Sequence, residues 1–548
     1  MSLESLAQLI FPDEDKGTEY YESLYPPRSL PEGAKVTRIA PSPTGFMHLG
    51  NLYGALTDER LAHQSGGVFM LRIEDTDSKR EVENGVEMII AALGSFGLVF
   101  DEGMTANGEK GCYGPYRQSN RAHIYHAFAK KLLLEGKAYP CFCTEEELAA
   151  MHEKQEAEKA NFGYYGKWAK YRSLPTDEAE ALIRAGKPFV LRFRSEGSED
   201  RYLHLDDMIR GRIDVPENCQ DFVLLKSDGI PTYHFAHVVD DHLMRVTHVV
   251  RGEEWLATWP IHIQLFASLG WKSPKYCHTA HLMKAEGNGK RKLSKRKDPE
   301  LALSFYRENG YPVESVREYL MTLLNSNFEE WRLANPSSTL EDFKFSVSKM
   351  GSSGALFDLD KLRDVSRNVV ASMTAQQVYD RVLDWAKEYD PSFAELLEGD
   401  ERYALRILSI GRGGKKPRKD IALWSDVKPY MSMFYPSLFV RREGLPDGFD
   451  RSDIKKALEM FCDTYDENDT QEQWFARIKE IAASLGYAPE TKLYKQSPDS
   501  YRGHVGDISM FIRVALTGST NSPDMYEIMQ ILGRGESLSR ISGFAAGI

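Results

Sequence analysis

The segment from Thr37 to Asn51 constrains the fold more than any other part of this chain of 548 residues. Its first residues suit a strand, and Pro41 and Pro43 then stiffen the backbone of the turn that follows. Apolar residues recur at helical spacing from Leu49 onward, and a second apolar strand begins at Val68. A strand–helix–strand unit predicts a parallel sheet, in which ligands bind at the carboxyl ends of the strands.

The start of the predicted helix carries His48 and Gly50. Backbone N–H groups at a helix N-terminus, together with the helix dipole, favour a phosphate. An imidazole can donate a hydrogen bond to phosphoryl oxygens, and a glycine lets a nucleotide approach the backbone. The alternative for His48 is a structural helix cap, and this short segment does not decide between them.

Composition and length bound the class of protein. A chain of this length should hold several domains. Six cysteines do not make a disulfide framework, so we expect a cytoplasmic protein. We find no apolar run long enough to span a bilayer and no secretory signal, so no membrane partner is expected. The formal charge of −12 argues against indiscriminate nucleic-acid binding but leaves room for a local basic track.

Two charged residues follow predicted strands at the edge where a ligand would bind. Glu74 comes directly after the second strand and could hold an amino group; the alternative is a polar strand end that caps the next helix. Arg251 follows a strand near residues 246–250, and its planar guanidinium suits a carboxylate. Its alternative role is an ion pair with Glu253 or Asp241.

Two segments concentrate positive charge. Six of the thirteen residues from 286 to 298 are basic, and the glycines there suggest a flexible loop that delivers Lys292 and Lys295 to a polyphosphate. A solvated charge run or a nuclear localisation signal would have the same composition. Five of the eight residues from 412 to 419 are basic, which predicts a nucleic-acid track, with a solvated loop as the alternative.

The pair Cys141 and Cys143 could begin a zinc site, which requires a second pair of ligands at suitable spacing. Downstream the chain has His152 and then no cysteine before Cys219. We therefore predict no structural zinc and no other metal site in the protein itself.

Four segments together resemble the bacterial type of glutamyl-tRNA synthetase, and the second and last look like the class I signatures written HIGH and KMSKS. They are Arg38–Gly45, His48–Asn51, Arg72–Asp77 and Lys292–Arg296. Further matching segments are Gly114–Tyr116, Pro231–Tyr233, Val249–Trp255 and Ile531–Leu538, so that the resemblance extends over residues 36–548.

The resemblance implies an ATP-dependent ligase that activates L-glutamate as glutamyl-adenylate and transfers it to the terminal adenosine of tRNA(Glu), with Mg²⁺ accompanying ATP. It implies three catalytic residues, His48, Lys292 and Lys295. The nucleotide site implied by the resemblance comprises Thr44, His48, Gly50, Asn51, Glu254 and Lys295. The implied glutamate site comprises Arg38, Ala40, Ser42, Glu74, Tyr233, His237, Arg251 and Trp255, where His237 departs from the family pattern. The candidate tRNA contacts are Arg412, Lys415, Lys416, Arg418 and Lys419.

The implied architecture is α/β: a Rossmann-like class I synthetase catalytic domain with a mixed α/β insertion, followed by all-α stem-contact and anticodon-binding domains. The expected boundaries are an N-terminal extension at 1–34, catalytic halves at 35–138 and 230–298, an acceptor-binding insertion at 139–229, a stem-contact domain at 299–370 and a helical anticodon-binding domain at 371–548. The helical second half disfavours glutaminyl-tRNA synthetase, whose anticodon part resembles β-barrels. The N-terminal extension has no assigned role.

Two other functions fit parts of the sequence. A small-molecule nucleotidyltransferase would share the turn around His48 but would not need the long helical half. A non-catalytic tRNA-binding protein would not need an intact lysine loop. Within the ligase reading we expect a monomer, and charging of tRNA(Gln) as a second substrate stays open.

Overall fold

The computed structural model describes residues 2–77, 80–445 and 448–548. The strands are β1 (Val36–Ile39), β2 (Val68–Leu71), β3 (Glu102–Thr105), β4 (Gly108–Lys110), β5 (Ala138–Cys141), β6 (Val190–Phe193), β7 (Tyr202–Asp207), β8 (Gly211–Pro216), β9 (Val223–Leu225), β10 (His248–Gly252), β11 (Lys275–Thr279), β12 (Leu282–Glu286), β13 (Gly289–Lys292) and β14 (Ala355–Leu356).

Helices connect these strands and then make up most of the second half of the chain. The helices that begin before residue 300 are α1 (Leu3–Ile10), α2 (Thr18–Leu24), α3 (Leu49–His63), α4 (Gly85–Ser95), α5 (Ala122–Leu134), α6 (Glu145–Ala157), α7 (Thr176–Arg184), α8 (Tyr233–Leu243) and α9 (Trp259–Ser268). The later helices are α10 (Leu303–Glu308), α11 (Val313–Leu324), α12 (Phe328–Ala334), α13 (Leu359–Ser372), α14 (Ala375–Tyr389), α15 (Pro391–Gly399), α16 (Glu401–Ser409), α17 (Val427–Met431), α18 (Arg451–Thr464), α19 (Gln471–Ser484), α20 (Thr491–Gln496), α21 (Val505–Thr517) and α22 (Met525–Ala546).

The predicted strand–helix–strand unit is confirmed as β1, α3 and β2. The two strands pair in parallel with Val36 opposite Val68, and both are buried along their whole length. The turn between α3 and β2 needs a glycine at position 67, because a Cβ there would lie 1.9 Å from the carbonyl oxygen of Lys35. The helix ends at His63, and the unit brings the N-terminus of α3 to the carboxyl end of β1.

The second catalytic half adds a parallel pair to this arrangement. Strands β10 and β11 are parallel, with Arg251 opposite His278. Thr247, just before β10, donates its backbone N–H to the carbonyl of Val36 at 3.0 Å, so β10 runs beside β1. The hairpin of β7 and β8 extends the same sheet from within the predicted insertion, because β7 pairs with β11. The remaining insertion strands form a separate sheet in the order β5–β6–β9.

The chain divides into two compact units. One comprises Met1–Phe305 and Arg317–Asp358, and the other comprises Tyr306–Val316 and Leu359–Ile548. The second unit is helical, and its core is formed by apolar faces of α14, α16, α18, α19, α21 and α22. The domain boundaries expected from the sequence stay predictions.

The N-terminal extension packs on the first unit. Tyr25 donates its hydroxyl to the carbonyl of Gly114 at 2.9 Å, and Arg121 donates Nη1 to the same hydroxyl at 3.1 Å. Arg28 forms a two-point ion pair with Glu102 at 2.7 and 2.9 Å. The extension is thus part of the packing of this first unit, which contains both predicted catalytic halves and is called the catalytic unit below.

A buried network of charges joins the two catalytic halves. Asp241, at the end of α8, accepts from Arg72 Nη1 at 2.6 Å and from Arg38 Nε at 3.2 Å. All three side chains are almost fully buried, and the two arginines hold the pKa of Asp241 well below its usual range against the opposing effect of burial. Its neighbour Asp240 is buried too, and accepts from Arg121 and Tyr125. The network ties β1, β2 and α5 of one half to α8 of the other.

We expect Asp241→Asn to lower the free energy of unfolding of the catalytic unit by about 3–5 kcal/mol, because it leaves two buried guanidiniums without their shared counter-charge. Urea denaturation of the full chain measures this. Glu158→Gln is the matched control, since Glu158 pairs with Lys167 on an exposed surface and its loss should cost less than about 1 kcal/mol. Equal effects of the two substitutions would contradict the assignment of Asp241 as the link between the halves.

Candidate active site

A cavity of about 1130 Å³ opens at the carboxyl ends of β1 and β10. Its wall is formed by the N-terminus of α3, the start of α8, the turn after β10 and the basic loop after β13. All but one of the residues predicted for catalysis, nucleotide binding and glutamate binding line it: Arg38, Ala40, Ser42, Thr44, His48, Gly50, Asn51, Glu74, Tyr233, Arg251, Glu254, Trp255, Lys292 and Lys295. Segments from both catalytic halves therefore meet at one site.

His48 is the N-cap residue of α3. Its ring Nδ1 accepts from the backbone N–H of Asn51 at 3.3 Å, and the Asn51 side chain accepts from the His48 backbone N–H at 3.0 Å. Burial and the nearby ammonium of Lys295 lower the pKa of His48 to about 4, so the imidazole is neutral at pH 7. With Nδ1 accepting, the ring proton lies on Nε2, which is left as a donor toward the cavity. The capping role of His48 is thus compatible with its predicted role at a phosphate, which stays a prediction.

Gly50 makes room for the imidazole itself. A Cβ at this position would lie 3.1 Å from both Cε1 and Nδ1 of His48. Gly50 also lines the cavity, and the close approach of a nucleotide that the sequence suggests for it stays a prediction. The close contact shows that a side chain here would first displace the ring of His48.

The lysine loop is held at its base and free at its tip. Arg291 forms a two-point ion pair with Asp298 at 2.5 and 2.7 Å, and Asp298 also accepts from the backbone N–H of Ser294 at 2.9 Å. Lys292 Nζ lies 3.2 Å from His281 Nε2. Lys295 is exposed and lines the cavity near Gly45. The pairing of Asp298 fixes where the loop leaves the sheet, so that both ammonium groups face the same space.

The two buried arginines of the cavity wall, Arg38 and Arg251, differ in their partners. Arg38 is already paired with the carboxylate of Asp241. Arg251 donates Nε to His278 at 2.9 Å and lies with Nη1 2.9 Å from His262 Nδ1, and its guanidinium carbon lies 4.6 Å from the ring centroid of Tyr276. Among the described residues, no aspartate or glutamate forms an ion pair with Arg251. Of these two buried arginines, Arg251 is therefore the one whose charge no carboxylate neutralises among the described residues.

Aromatic rings form the wall beside Arg251. Tyr233 packs against Trp255 with ring centroids 4.4 Å apart, and its other face stacks on His237 at 5.7 Å. Of the residues predicted for catalysis, nucleotide binding and glutamate binding, His237 is the one that does not line the cavity. It is fully buried, lies 3.0 Å from Asp241 through Nδ1, and lies 3.1 Å from the Tyr276 hydroxyl through Nε2. Its contact with glutamate stays a prediction, and its observed contacts support Asp241 and Tyr233.

Glu74 lies at the cavity with one oxygen already engaged. Its Oε1 accepts from Arg72 Nη2 at 3.0 Å. Burial raises the pKa of Glu74, although Arg72 and Arg38 act in the opposite direction. A substrate ammonium beside the second oxygen would add a favourable charge to this carboxylate.

The basic segment 412–419 belongs to the helical unit and contains two kinds of residue. Arg412 donates to the carbonyls of Leu408 and Val370 at 2.7 and 2.6 Å, and Arg418 pairs with Asp420. Lys415, Lys416 and Lys419 are exposed, and within the part of the chain that the structure describes they make no ion pair. Contact of these five residues with tRNA stays a prediction. Of the five, the three lysines are the ones whose charge is exposed and not paired within the described part of the chain.

The two cysteines of the Cys-x-Cys pair contact the same hydroxyl, that of Tyr164, at 3.4 and 3.6 Å. Across residues 2–77, 80–445 and 448–548, no group of three or more histidine, cysteine or acidic side chains is arranged to hold a metal ion. Over the same residues, no helix combines the length and the apolar character needed to cross a membrane.

Two residues that shape the site received no role from the sequence. His262, in the largely apolar helix α9, and His278, in β11, are both fully buried. Such an isolated polar residue within an apolar run is a usable signal, because a buried charge or imidazole requires a partner. The sequence did not say which partner each would find.

Comparison with known families defines the class of protein. Residues 35–364 match the model described as "tRNA synthetases class I (E and Q), catalytic domain", and residues 495–545 match an anticodon binding domain. The first match includes every residue of the cavity wall, and the second lies in the helical unit. The α/β fold with a class I synthetase catalytic domain and a helical anticodon-binding region is therefore confirmed.

Individual relatives narrow the class further. The chain is 56% identical to the glutamate–tRNA ligase of Acetivibrio thermocellus, with 99% of each chain covered, and 50% identical to that of Clostridium perfringens strain SM101, with 100% of each covered. A crystal structure of a glutamate tRNA ligase from Elizabethkingia meningosepticum in complex with its amino acid superposes with a TM-score of 0.72 at 30% identity, covering 93% of this chain and 99% of that one. The chain belongs to the glutamate–tRNA ligase family.

We expect Gly50→Ala to slow amino-acid activation by about tenfold, because the methyl group would displace the imidazole of His48 by a few tenths of an ångström. Pyrophosphate exchange in the presence of tRNA measures this rate. Gly94→Ala, in an exposed part of α4 where a Cβ meets no other atom within 4 Å, is the control. An unchanged rate in Gly50→Ala would mean that the position of His48 does not matter for activation.

Proposed function

We propose that the protein joins L-glutamate to the 3′-terminal adenosine of tRNA(Glu), using ATP. The proposal is supported by the full-length similarity to glutamate–tRNA ligases and by one observation above all. Arg251 is a buried cation with no acidic partner among the described residues, in a cavity that also holds a helix N-terminus and the loop lysines Lys292 and Lys295. A substrate with an anionic side chain fits this arrangement, and a polyphosphate fits the rest of the wall.

In the first step the α-carboxylate of glutamate attacks the α-phosphorus of ATP. The new bond is the mixed anhydride of glutamyl-adenylate, and the bond to pyrophosphate breaks. No protein nucleophile takes part, so the protein contributes position and charge stabilisation. His48 donates Nε2–H to an α-phosphate oxygen, and Lys292 and Lys295 stabilise the departing pyrophosphate.

In the second step a hydroxyl of the terminal ribose attacks the glutamyl carbonyl carbon and AMP leaves. Throughout both steps the glutamate is held at its two ends. Arg251 binds the side-chain carboxylate, and Glu74 accepts from the α-ammonium group through the oxygen that Arg72 does not occupy. Tyr233 and Trp255 exclude water beside the guanidinium. Arg38 acts mainly through Asp241, by keeping that carboxylate in place.

ATP lies along the N-terminus of α3, with Thr44, Gly50, Asn51 and Glu254 beside the nucleotide. Mg²⁺ enters with ATP in this proposal, with phosphate oxygens as its main ligands, which is how proteins commonly hold this ion at nucleotide sites. Single carboxylates of the cavity wall, such as Glu254, are of the oxygen-donor type that the ion accepts.

The tRNA contacts both units in this proposal. Its acceptor end reaches the cavity alongside the predicted insertion, and its anticodon part meets the helical unit, where Lys415, Lys416 and Lys419 supply charge. Whether tRNA(Gln) is a second substrate is decided by the same charging experiment. A monomer and a cytoplasmic location stay predictions.

Aminoacylation by the purified chain tests the proposal. Charging of tRNA(Glu) with labelled glutamate, dependent on ATP, is the expected result, and glutamine should not be accepted. Parallel reactions with tRNA(Gln) define the range of tRNA substrates. A chain that activates no glutamate with ATP and tRNA present would overturn the proposed function.

We expect Lys295→Ala to reduce the activation rate by roughly 10²–10³, comparable with the loss of one oxyanion-hole donor. The reason is that its ammonium would meet charge that develops on pyrophosphate only as the bond breaks. Lys297→Ala is the matched control, because Lys297 is exposed on the same loop and does not line the cavity. Equal rates for the two variants would remove Lys295 from the mechanism.

We expect replacement of Lys415, Lys416 and Lys419 by glutamine to weaken tRNA binding and to reduce the slope of log K against log salt by about two to three. Filter binding over a range of salt concentrations measures both. Lys387→Gln is the control, since Lys387 is already paired with Glu398 in the same unit. A salt slope that does not change would place the tRNA track elsewhere.

A further inference from the structure

The guanidinium of Arg251 is held by imidazoles. Arg251 Nε donates to His278 Nε2 at 2.9 Å, and Nη1 lies 2.9 Å from His262 Nδ1. Both histidines are fully buried, and Arg251 itself is 8% exposed. An imidazole nitrogen that accepts a hydrogen bond orients the guanidinium without cancelling its charge.

The second nitrogen of each imidazole is also engaged, which fixes the tautomer. His278 Nδ1 lies 2.8 Å from the carboxylate of Asp207, so Nδ1 carries the proton and Nε2 is the acceptor. His262 Nε2 lies 3.0 Å from His234 Nδ1, which allows Nε2–H to donate and leaves Nδ1 to accept from Arg251. Each ring therefore presents a lone pair to Arg251.

These rings stay neutral at physiological pH. Burial lowers the pKa of His278 and holds that of His262 well below its usual range, and it lowers the pKa of His234 to about 4. Protonation of either acceptor ring would place two positive charges side by side in a buried space. The two imidazoles thus remain neutral hydrogen-bond acceptors for Arg251 at physiological pH.

The charge of Asp207 does not take the place of a partner for Arg251. Asp207 lies one imidazole away, and its oxygens also accept from the backbone N–H groups of Ile209, Arg210 and His278 at 2.9, 2.9 and 3.0 Å. Arg38, in the wall of the same cavity, shows the opposite design, because Asp241 contacts it directly. One arginine is neutralised and the other is not.

We infer that His262 and His278 are positioning residues that aim Arg251 at the substrate while leaving its positive charge for a substrate carboxylate. Selection of an anionic side chain over its neutral amide then depends on the neutrality of the two rings as well as on Arg251. This inference rests on the proposed function, since it assigns the substrate's side-chain carboxylate as the missing partner.

The test replaces His262 by an acid and by its neutral counterpart. His262→Asp places a carboxylate where Arg251 now finds a neutral acceptor, and His262→Asn keeps a neutral oxygen near the position of Nδ1. His248→Asn is the control for loss of a buried imidazole, because His248 lies on the same strand as Arg251 but not at the cavity. The full chain is assayed by pyrophosphate exchange with tRNA present, and KM is measured separately for glutamate and ATP.

In His262→Asp we expect the KM for glutamate to rise by at least about 100-fold, which is about 2.8 kcal/mol, because the substrate would compete with an internal counter-ion. The KM for ATP should stay within about threefold. His262→Asn and His248→Asn should keep a glutamate KM within about fivefold of wild type. The first variant keeps a neutral acceptor beside Arg251, and the second changes a residue away from the cavity.

Two results would overturn the inference. If His262→Asp and His262→Asn raise the glutamate KM equally, the ring acts only by its shape. If neither variant changes that KM, the ring does not act on Arg251 at all. Failure of the proposed function would look different from these two results. The wild-type chain would then show no glutamate-dependent exchange, and the inference would fall with the proposed function.

Discussion

The shared contact of Asp241 with Arg38 and Arg72 is the interaction on which the catalytic unit depends. It joins Asp241 to arginines that are 203 and 169 residues away in sequence, and all three side chains are almost fully buried. Buried charges are tolerated only when they are paired and hydrogen-bonded, so the arginines fix the position of α8 and α8 fixes the ends of β1 and β2. Tyr233 at the start of α8 and Glu74 after β2 reach the cavity as a result.

The same rule of charge compensation distinguishes the cations that hold the structure together from the cations that face the cavity. Where the protein needs a rigid frame, each cation has a carboxylate, as for Arg38 with Asp241 and Arg291 with Asp298. At the proposed substrate site, Arg251 is held by neutral imidazoles, and Lys295 is exposed with no ion pair among the described residues. His48 follows a related pattern, because capping α3 with one nitrogen leaves the other as a donor. In the proposed function, glutamate and ATP supply the absent negative charges.

Local features of the sequence predicted the strand–helix–strand unit, and the resemblance to glutamyl-tRNA synthetases supplied most of the cavity wall. The spacing of apolar residues defined β1, α3 and β2, and a motif at a strand end placed His48, Glu74 and Arg251 at one edge of a sheet. The sequence did not show which residues, distant from each other along the chain, would pair in the fold. The sequence offers Asp241 as an alternative partner of Arg251, yet in the structure Asp241 pairs with Arg38 and Arg72. His237, which the resemblance places at the glutamate site, is fully buried and does not line the cavity, and its contact with glutamate stays a prediction.

The most direct test compares the affinities of two inert analogues, the sulfamoyl counterparts of glutamyl-adenylate and glutaminyl-adenylate, for the wild-type chain and for Arg251→Gln by isothermal titration calorimetry. Their only difference is the charged group that Arg251 would meet. In wild type we expect the glutamyl analogue to bind at least about 100-fold more tightly, in keeping with the effect of losing one partner of a buried charge pair. In Arg251→Gln we expect the ratio to approach one. A wild-type preference that survives the substitution unchanged would contradict the assignment of Arg251 as the cation reserved for the substrate.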